Sequence, residues 1–274
     1  MTNSVKSQAF FVVSNYNTNP YELTKYCDDY LVFDQSDDVA VRDMLVARND
    51  PRILFTENSG TSLINYLTFI IDNYEDLPRL IAFLKGNLID RHIPQAKFER
   101  LISNGFYTYL WHEDHAVEDR STVLLPQANN YLERNNSWYV GKSQHRYFVS
   151  FDEFMGFFFS DYSRREFVNF CPGANFIVER DRVIQHPKSL YVGLRHTLEY
   201  SFFPSEAWMV ERAFNLIFAG ELNASEEMLK SDESIIMALN DLPDRRSEFV
   251  APPGPLSRVR LIFHYFMRKL RPTD

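Results

Sequence analysis

Short apolar runs separated by polar turns open the chain. Ala9-Phe10-Phe11-Val12-Val13-Ser14 is one run, ended by Asn15-Tyr16-Asn17-Thr18-Asn19-Pro20. Its length and the turn residues after it predict a buried parallel strand that feeds a loop. Tyr30-Leu31-Val32-Phe33 is a second run, closed by Asp34-Gln35-Ser36-Asp37-Asp38, with room for a short helix over Tyr21 to Cys27. A strand–helix–strand opening predicts an α/β layer fold. Leu63, Tyr66, Leu67, Ile70, Ile71 and Tyr74 then recur at helical spacing, capped near Thr61 or Ser62 and stopped by Leu77-Pro78. Leu80 to Leu84 reads as another buried strand, Pro94 to Ser103 as a helix with proline in its first turn, and Phe106 to Trp111 as a strand. Residues 116–150 are irregular and polar, and are expected to form long loops over a rigid sheet. Phe151 to Phe159 reads as a short buried helix and Ala174 to Val178 as a late strand. Ser189 to Tyr200 and Ser205 to Ala219 read as helices. A Pro-rich linker is expected over 241–257, and a last, basic amphipathic helix over 258–274.

Composition narrows the class. The chain has 274 residues, 45% hydrophobic and 24% charged, the mix of an ordinary globular protein. A net charge of −8 argues against a general nucleic-acid binder. That charge is uneven: residues 254–274 carry +4 and the rest carries −12. Cys27 and Cys171 form no CxxC pair; one disulfide is the alternative, and reduced, buried thiols in a cytosolic protein are the expectation. No secretory leader is expected, and no apolar stretch is long enough to span a bilayer.

Two sets of stretches carry a family resemblance. One is Asn58-Ser59-Gly60, Tyr66-Leu67, Ile70-Ile71-Asp72-Asn73-Tyr74, Leu77-Pro78 and Phe83-Leu84-Lys85-Gly86-Asn87. The other is Gly173-Ala174-Asn175-Phe176-Ile177-Val178, Tyr191, and Glu211-Arg212-Ala213-Phe214 with Phe218. Their order resembles an uncharacterised family, domain of unknown function thirty-four thirty-one, which looks like glycosyltransferases of the GT-A fold. There is partial similarity to the core-2 branching N-acetylglucosaminyltransferase and xylosyltransferase family. The resemblance implies a GT-A-like, Rossmann-like domain over 1–240, a mostly parallel sheet flanked by helices. It also implies transfer of a sugar from a nucleotide-sugar donor to a glycan or lipid-linked acceptor in surface polysaccharide synthesis. Two departures from the pattern stand out. Lys85 replaces the usual Gln, and Pro204-Ser205-Glu206 stands where a Pro-Asp-Glu motif would be.

Such a transfer must neutralise a diphosphate leaving group and deprotonate an acceptor hydroxyl. Many GT-A enzymes use a metal on an Asp-x-Asp motif for the first task. Here the corresponding strand ends in Lys85-Gly86-Asn87, so a metal-independent site is expected, with Lys85 as the positive charge and no cofactor beyond the donor. A solvated loop lysine is the competing reading. Open α/β sheets bind ligands outside the carboxyl ends of their strands. Ser14, Asn15, Tyr16 and Asn17 are therefore expected to meet a base, and Asp34 a ribose hydroxyl, although turn chemistry alone explains the same residues. Asn58, Gly60, Gly86, Asn87, Asp90 and His92 complete the expected donor site.

Glu211 and Glu206 compete as general base. Five residues apart on one helix, they point about 140° apart and cannot share a task. Glu211 sits among Met209, Val210 and Ala213, where a carboxylate is exposed, paired or functional. His112-Glu113-Asp114-His115 matches no standard zinc spacing and reads as a polar loop. The segment with Arg258, Arg260, Arg268, Lys269 and Arg271 reads either as a helix for an anionic membrane surface or as one docked on the domain. The expected location is cytoplasmic, peripheral on the inner face of the membrane if that helix binds it. A non-catalytic carbohydrate-binding or scaffold protein that keeps the fold is the alternative.

Overall fold

The computed structural model describes residues 6–58, 61–111, 124–126, 131–220 and 222–248. The central sheet has six strands in the order β3-β2-β1-β4-β9-β5. These are β1 (Phe10–Asn15), β2 (Tyr30–Asp34), β3 (Ile53–Phe55), β4 (Leu80–Lys85), β5 (Thr108–Tyr109) and β9 (Phe176–Glu179). The first four pair in parallel, whereas β9 runs antiparallel to both β4 and β5. The fold is thus mixed α/β, with a mostly parallel sheet flanked by helices.

Side chains alternate across each strand, and the two faces feed separate cores. Val12, Ile81, Phe83, Phe176 and Val178 face α3 (Thr61–Asp72), α7 (Lys188–His196) and α8 (Glu206–Ala219). Phe11, Val13, Ala82, Leu84 and Ile177 face the other core, with Leu23 of α1 (Tyr21–Thr24), Leu45 of α2 (Val39–Arg48) and Phe98 of α4 (Gln95–Leu101). Double burial explains why β1 and β4 are continuous apolar runs. On the first face Phe83, Phe176 and Phe214 form a chain of ring contacts, each with centroids 5.4 Å apart. Each such pair contributes about 0.5–1.5 kcal/mol beyond its buried area.

Several elements depart from the sequence reading. The Asp34–Asp38 turn does not simply close β2. Asp38 caps α2, its carboxylate accepting from the amides of Ala40 and Val41. Helix α2 buries only Leu45, which is why no periodicity announced it. The expected loop region holds a strand, β7 (Tyr131–Arg134), between β6 (Leu124–Pro126) and β8 (Phe167–Phe170) in a three-stranded antiparallel sheet. Its inward positions are Tyr131 and Glu133, and the charge breaks the apolar alternation. Short helices α6 (Arg180–Ile184) and α9 (Asp232–Asn240) were also not anticipated, whereas the expected α5 forms over Phe151–Phe158.

The start of the Pro-rich stretch is docked. Residues 245–248 form a 3-10 turn, the Arg245 amide donates to the Arg146 carbonyl, and its guanidinium meets Glu153 at 3.2 Å. The expected helix over 258–274, Gly60 and the His112–His115 loop lie outside the described residues. Among the described residues no helix is long and apolar enough to cross a membrane.

Candidate active site

Strand numbering reverses direction between β1 and β4, and a crevice opens outside the carboxyl ends of both. Ser14 and Lys85 stand there side by side in register. The close approach of the two loops depends on Gly86. A Cβ on that residue would lie 2.2 Å from Asn15 Oδ1 and 2.6 Å from Thr18 Oγ1. Because β9 is antiparallel to β4, its leading loop, Pro172 to Asn175, returns to the same end of the sheet. Asn175 Oδ1 accepts from the Lys85 amide at 2.8 Å. Gly173 (φ +82°) and Ala174 (φ +51°) bend this loop over the cleft.

Three adjoining cavities of about 190, 200 and 230 Å³ meet here, and Lys85 lines all of them. The first also holds Ser14, Tyr16, Asn58, Gly86, Asn87 and His92, joined by Arg91 and the first turn of α3 at Thr61 and Ser62. The other two share Glu211, Gly173 and Trp208. Lys85 and Glu211 thus face one composite cleft from a strand end and a helix.

Glu211 is held in place from two sides. Its Oε1 accepts from the Gly173 amide at 2.6 Å, and its Oε2 lies 3.3 Å from Arg212 Nη1. Desolvation pushes its carboxyl above the ordinary value, against the pull of Arg212 and Lys85. Desolvation pushes the Lys85 ammonium below its ordinary value, against the pull of Glu211 and with a push from Arg91. Behind Glu211 the charges continue inward. Arg212 Nε meets Glu133 Oε2 at 2.5 Å with both side chains fully buried, and Trp138 Nε1 donates to Glu133 Oε1 at 2.6 Å. The guanidinium also lies 4.0 Å from the Tyr139 ring centre and 4.3 Å from that of Phe170. Lys85, Glu211, Arg212 and Glu133 sum to zero charge, as a desolvated cluster requires.

The family model for DUF3431, described as a protein of unknown function, matches residues 28–231. The chain belongs to that family. No curated protein and no solved structure matches it. The DUF3431 region includes Lys85, Glu133 and Glu211 but begins after β1.

Within this DUF3431 cleft the expected residues divide. Ser14, Tyr16, Asn58, Lys85, Gly86, Asn87, His92 and Glu211 line it. Asn15 does not; it is buried, donating to the Thr18 carbonyl and to Asp34 Oδ1. Asp34 turns inward to Asn15 and Ser36. Asn17 is occupied with Asp37 and the amides ahead of α2. Asp90, at φ +62°, is an exposed turn residue. Glu206 is fully buried elsewhere, accepting from the amides of Arg146 and Tyr147 and from the Tyr200 hydroxyl. Turn chemistry, the competing reading, accounts for Asn15, Asn17 and Asp34.

Sequence reasoning missed Arg91, Glu133, Trp138 and Trp208. One signal was available, a glutamate at an inward position of a strand otherwise read as loop. Both cysteines are buried and free, as expected. Among the described residues no three His, Cys, Asp or Glu side chains are disposed to hold a metal ion.

Proposed function

We propose that the protein transfers a glycosyl residue from a nucleotide sugar to a hydroxyl of a glycan or lipid-linked acceptor, with inversion. One observation carries the proposal: Lys85 and Glu211, a cation and a carboxylate, line the same cavities in a cleft at the switch point of an α/β sheet. The Glu211 carboxylate takes the acceptor proton while the acceptor oxygen attacks the anomeric carbon. The bond from that carbon to the diphosphate breaks, and its electron pair leaves with the nucleoside diphosphate. Lys85 and Arg91, beside the first turn of α3, offset the charge on that leaving group. No step runs through a metal, because β4 ends in Lys85-Gly86-Asn87 where a carboxylate pair would be needed. GT-A is the finer fold reading that goes with this chemistry. Residues 258–274 would bring the protein to an anionic inner membrane surface.

Thermal unfolding against a panel of UDP- and GDP-sugars, with and without chelator, tests the donor. The expected outcome is a nucleotide-dependent rise in Tm that chelator leaves unchanged. Glu211→Gln should keep that rise while transfer falls by about 10²–10⁴-fold. No rise with any nucleotide diphosphate sinks the proposal. Glycan binding without nucleotide binding supports the second reading, a carbohydrate-binding protein. That reading draws on the hydrogen bond and ion pair that already engage both Glu211 oxygens.

A further inference from the structure

A cavity of about 560 Å³ lies outside the Lys85 cleft, at the end of the three-stranded sheet. Its volume falls in the usual ligand range. Its lining brings together Arg134, Arg164 and Arg165, with Glu166 as the one carboxylate among the described residues that line it, so it is locally basic in a chain of net charge −8. Asn135, Asn136, Ser137 and Trp138 form the remaining wall.

That wall is a built surface. Asp152 accepts from Asn135, Asn136 and Tyr162 at 2.7–2.8 Å, and Arg164 lies 3.4 Å from the same carboxylate. Asn136 is held at φ +49°, its amide donating to Asn135 Oδ1 and Tyr139 Oη, its side-chain oxygen accepting from the Phe151 amide. The Ser137 hydroxyl, by contrast, is buried without a hydrogen-bond partner among the described residues. Unpaired buried hydroxyls are costly, and a ligand oxygen would satisfy this one.

Trp138 is common to this cavity and to the one that holds Glu211. Its indole nitrogen is fixed by Glu133, so the ring forms a stationary partition between the two. Guanidinium groups match carboxylates in fork geometry. Carboxamides and a hydroxyl suit sugar hydroxyls, and an indole offers an apolar face for the C–H side of a pyranose ring.

We propose that this arginine cavity binds an acidic saccharide, a sugar residue bearing a carboxylate, and that the acceptor chain runs from it past Trp138 to Glu211. The inference rests on the acceptor reading of the Glu211 cleft. It adds the chemical class of the acceptor.

The test titrates the full chain with a galacturonate hexamer and with its carboxyl-reduced, neutral counterpart at equal ionic strength, following tryptophan fluorescence. The acidic hexamer should bind about tenfold or more tightly than the neutral one, and Arg134→Gln/Arg165→Gln should weaken it by about tenfold or more. Arg134→Glu alone, at an exposed strand end, gives the same direction should the double variant not fold. Equal affinity for the two hexamers overturns the inference. So does binding that Lys85→Met weakens and the arginine variants do not, because the anion then sits in the other cleft. A parallel titration with UDP separates the two levels. UDP binding without a preference for the acidic hexamer removes this inference and leaves the transferase. Preference for the acidic hexamer without UDP binding supports the cavity and removes the transferase.

Discussion

At the scale of residues, the proposed transfer predicts a pH dependence whose sign follows from the surroundings of Lys85 and Glu211. In that proposal Glu211 serves as a base only when ionised. Its pKa lies above the ordinary 4.5 because burial disfavours the charged form. In the same proposal Lys85 offsets leaving-group charge only when protonated. Its pKa lies below the ordinary 10.5 for the same reason. A profile of kcat/KM against pH should therefore be a bell narrowed on both sides, rising only above pH 4.5 and falling before pH 10.5. Lys85→Arg removes the titrating ammonium, since a guanidinium keeps its charge throughout. That variant should keep the acid limb and shift the alkaline limb to higher pH, with the same shift in the pH dependence of UDP affinity. An unchanged alkaline limb would show that Lys85 does not carry the charge.

Helix α8 carries both carboxylates that the sequence left in competition, and its setting separates them. Ten of its fourteen residues are buried, so it is packed on nearly every side and each polar group on it must find a partner. Glu206, in its first turn, collects two backbone amides of the Arg146–Tyr147 segment and the Tyr200 hydroxyl. It ties three segments together. Glu206→Ala leaves those donors buried and unpaired, and urea unfolding should show a loss of about 2–4 kcal/mol. UDP affinity should stay within about twofold, because Glu206 lines none of the three cavities that meet at Lys85. Lost UDP affinity at full stability would restore Glu206 as a site residue. Elements whose pattern one core dictates were legible from sequence: β1 and β4 as doubly buried runs, α3 by its apolar stripe. Elements with little burial, such as α2, or with a charge on the inner face, such as β7, were not. The Ser14–Lys85 side of the cleft was legible because it follows directly on strand ends. Its Glu211 side is assembled from α8, β7 and the Gly173 loop, which lie far apart in sequence, and no local pattern announces that assembly.

At the scale of the molecule, the three-stranded sheet and the main α/β body are joined by a buried ion pair, and that joint reaches the cleft. Glu133 comes from β7 and Arg212 from α8, with relative side-chain exposures of 0% and 1%. Removing one partner strands the other in a dry interior, so Glu133→Ala should cost about 3–5 kcal/mol in urea unfolding. It also takes away the partner that fixes the Trp138 ring. Replacing both charges with apolar groups of similar size, Glu133→Leu with Arg212→Met, should recover much of that loss, since a buried pair repays little more than its own desolvation. The double variant is nevertheless not silent at the site. Arg212 is the foremost of the groups that hold the Glu211 pKa down. Without it the Glu211 carboxyl should rise further, because the smaller upward push of Glu133, lost in the same variant, ranks last among the causes; the acid limb of the pH profile should then move to higher pH while the proposed Lys85 limb moves upward only slightly. Recovered stability with an unmoved acid limb would show that the buried pair serves the joint alone. Recovered stability with a displaced limb would show one guanidinium acting both as the fastener between the two sheets and as the group that sets the basicity of Glu211.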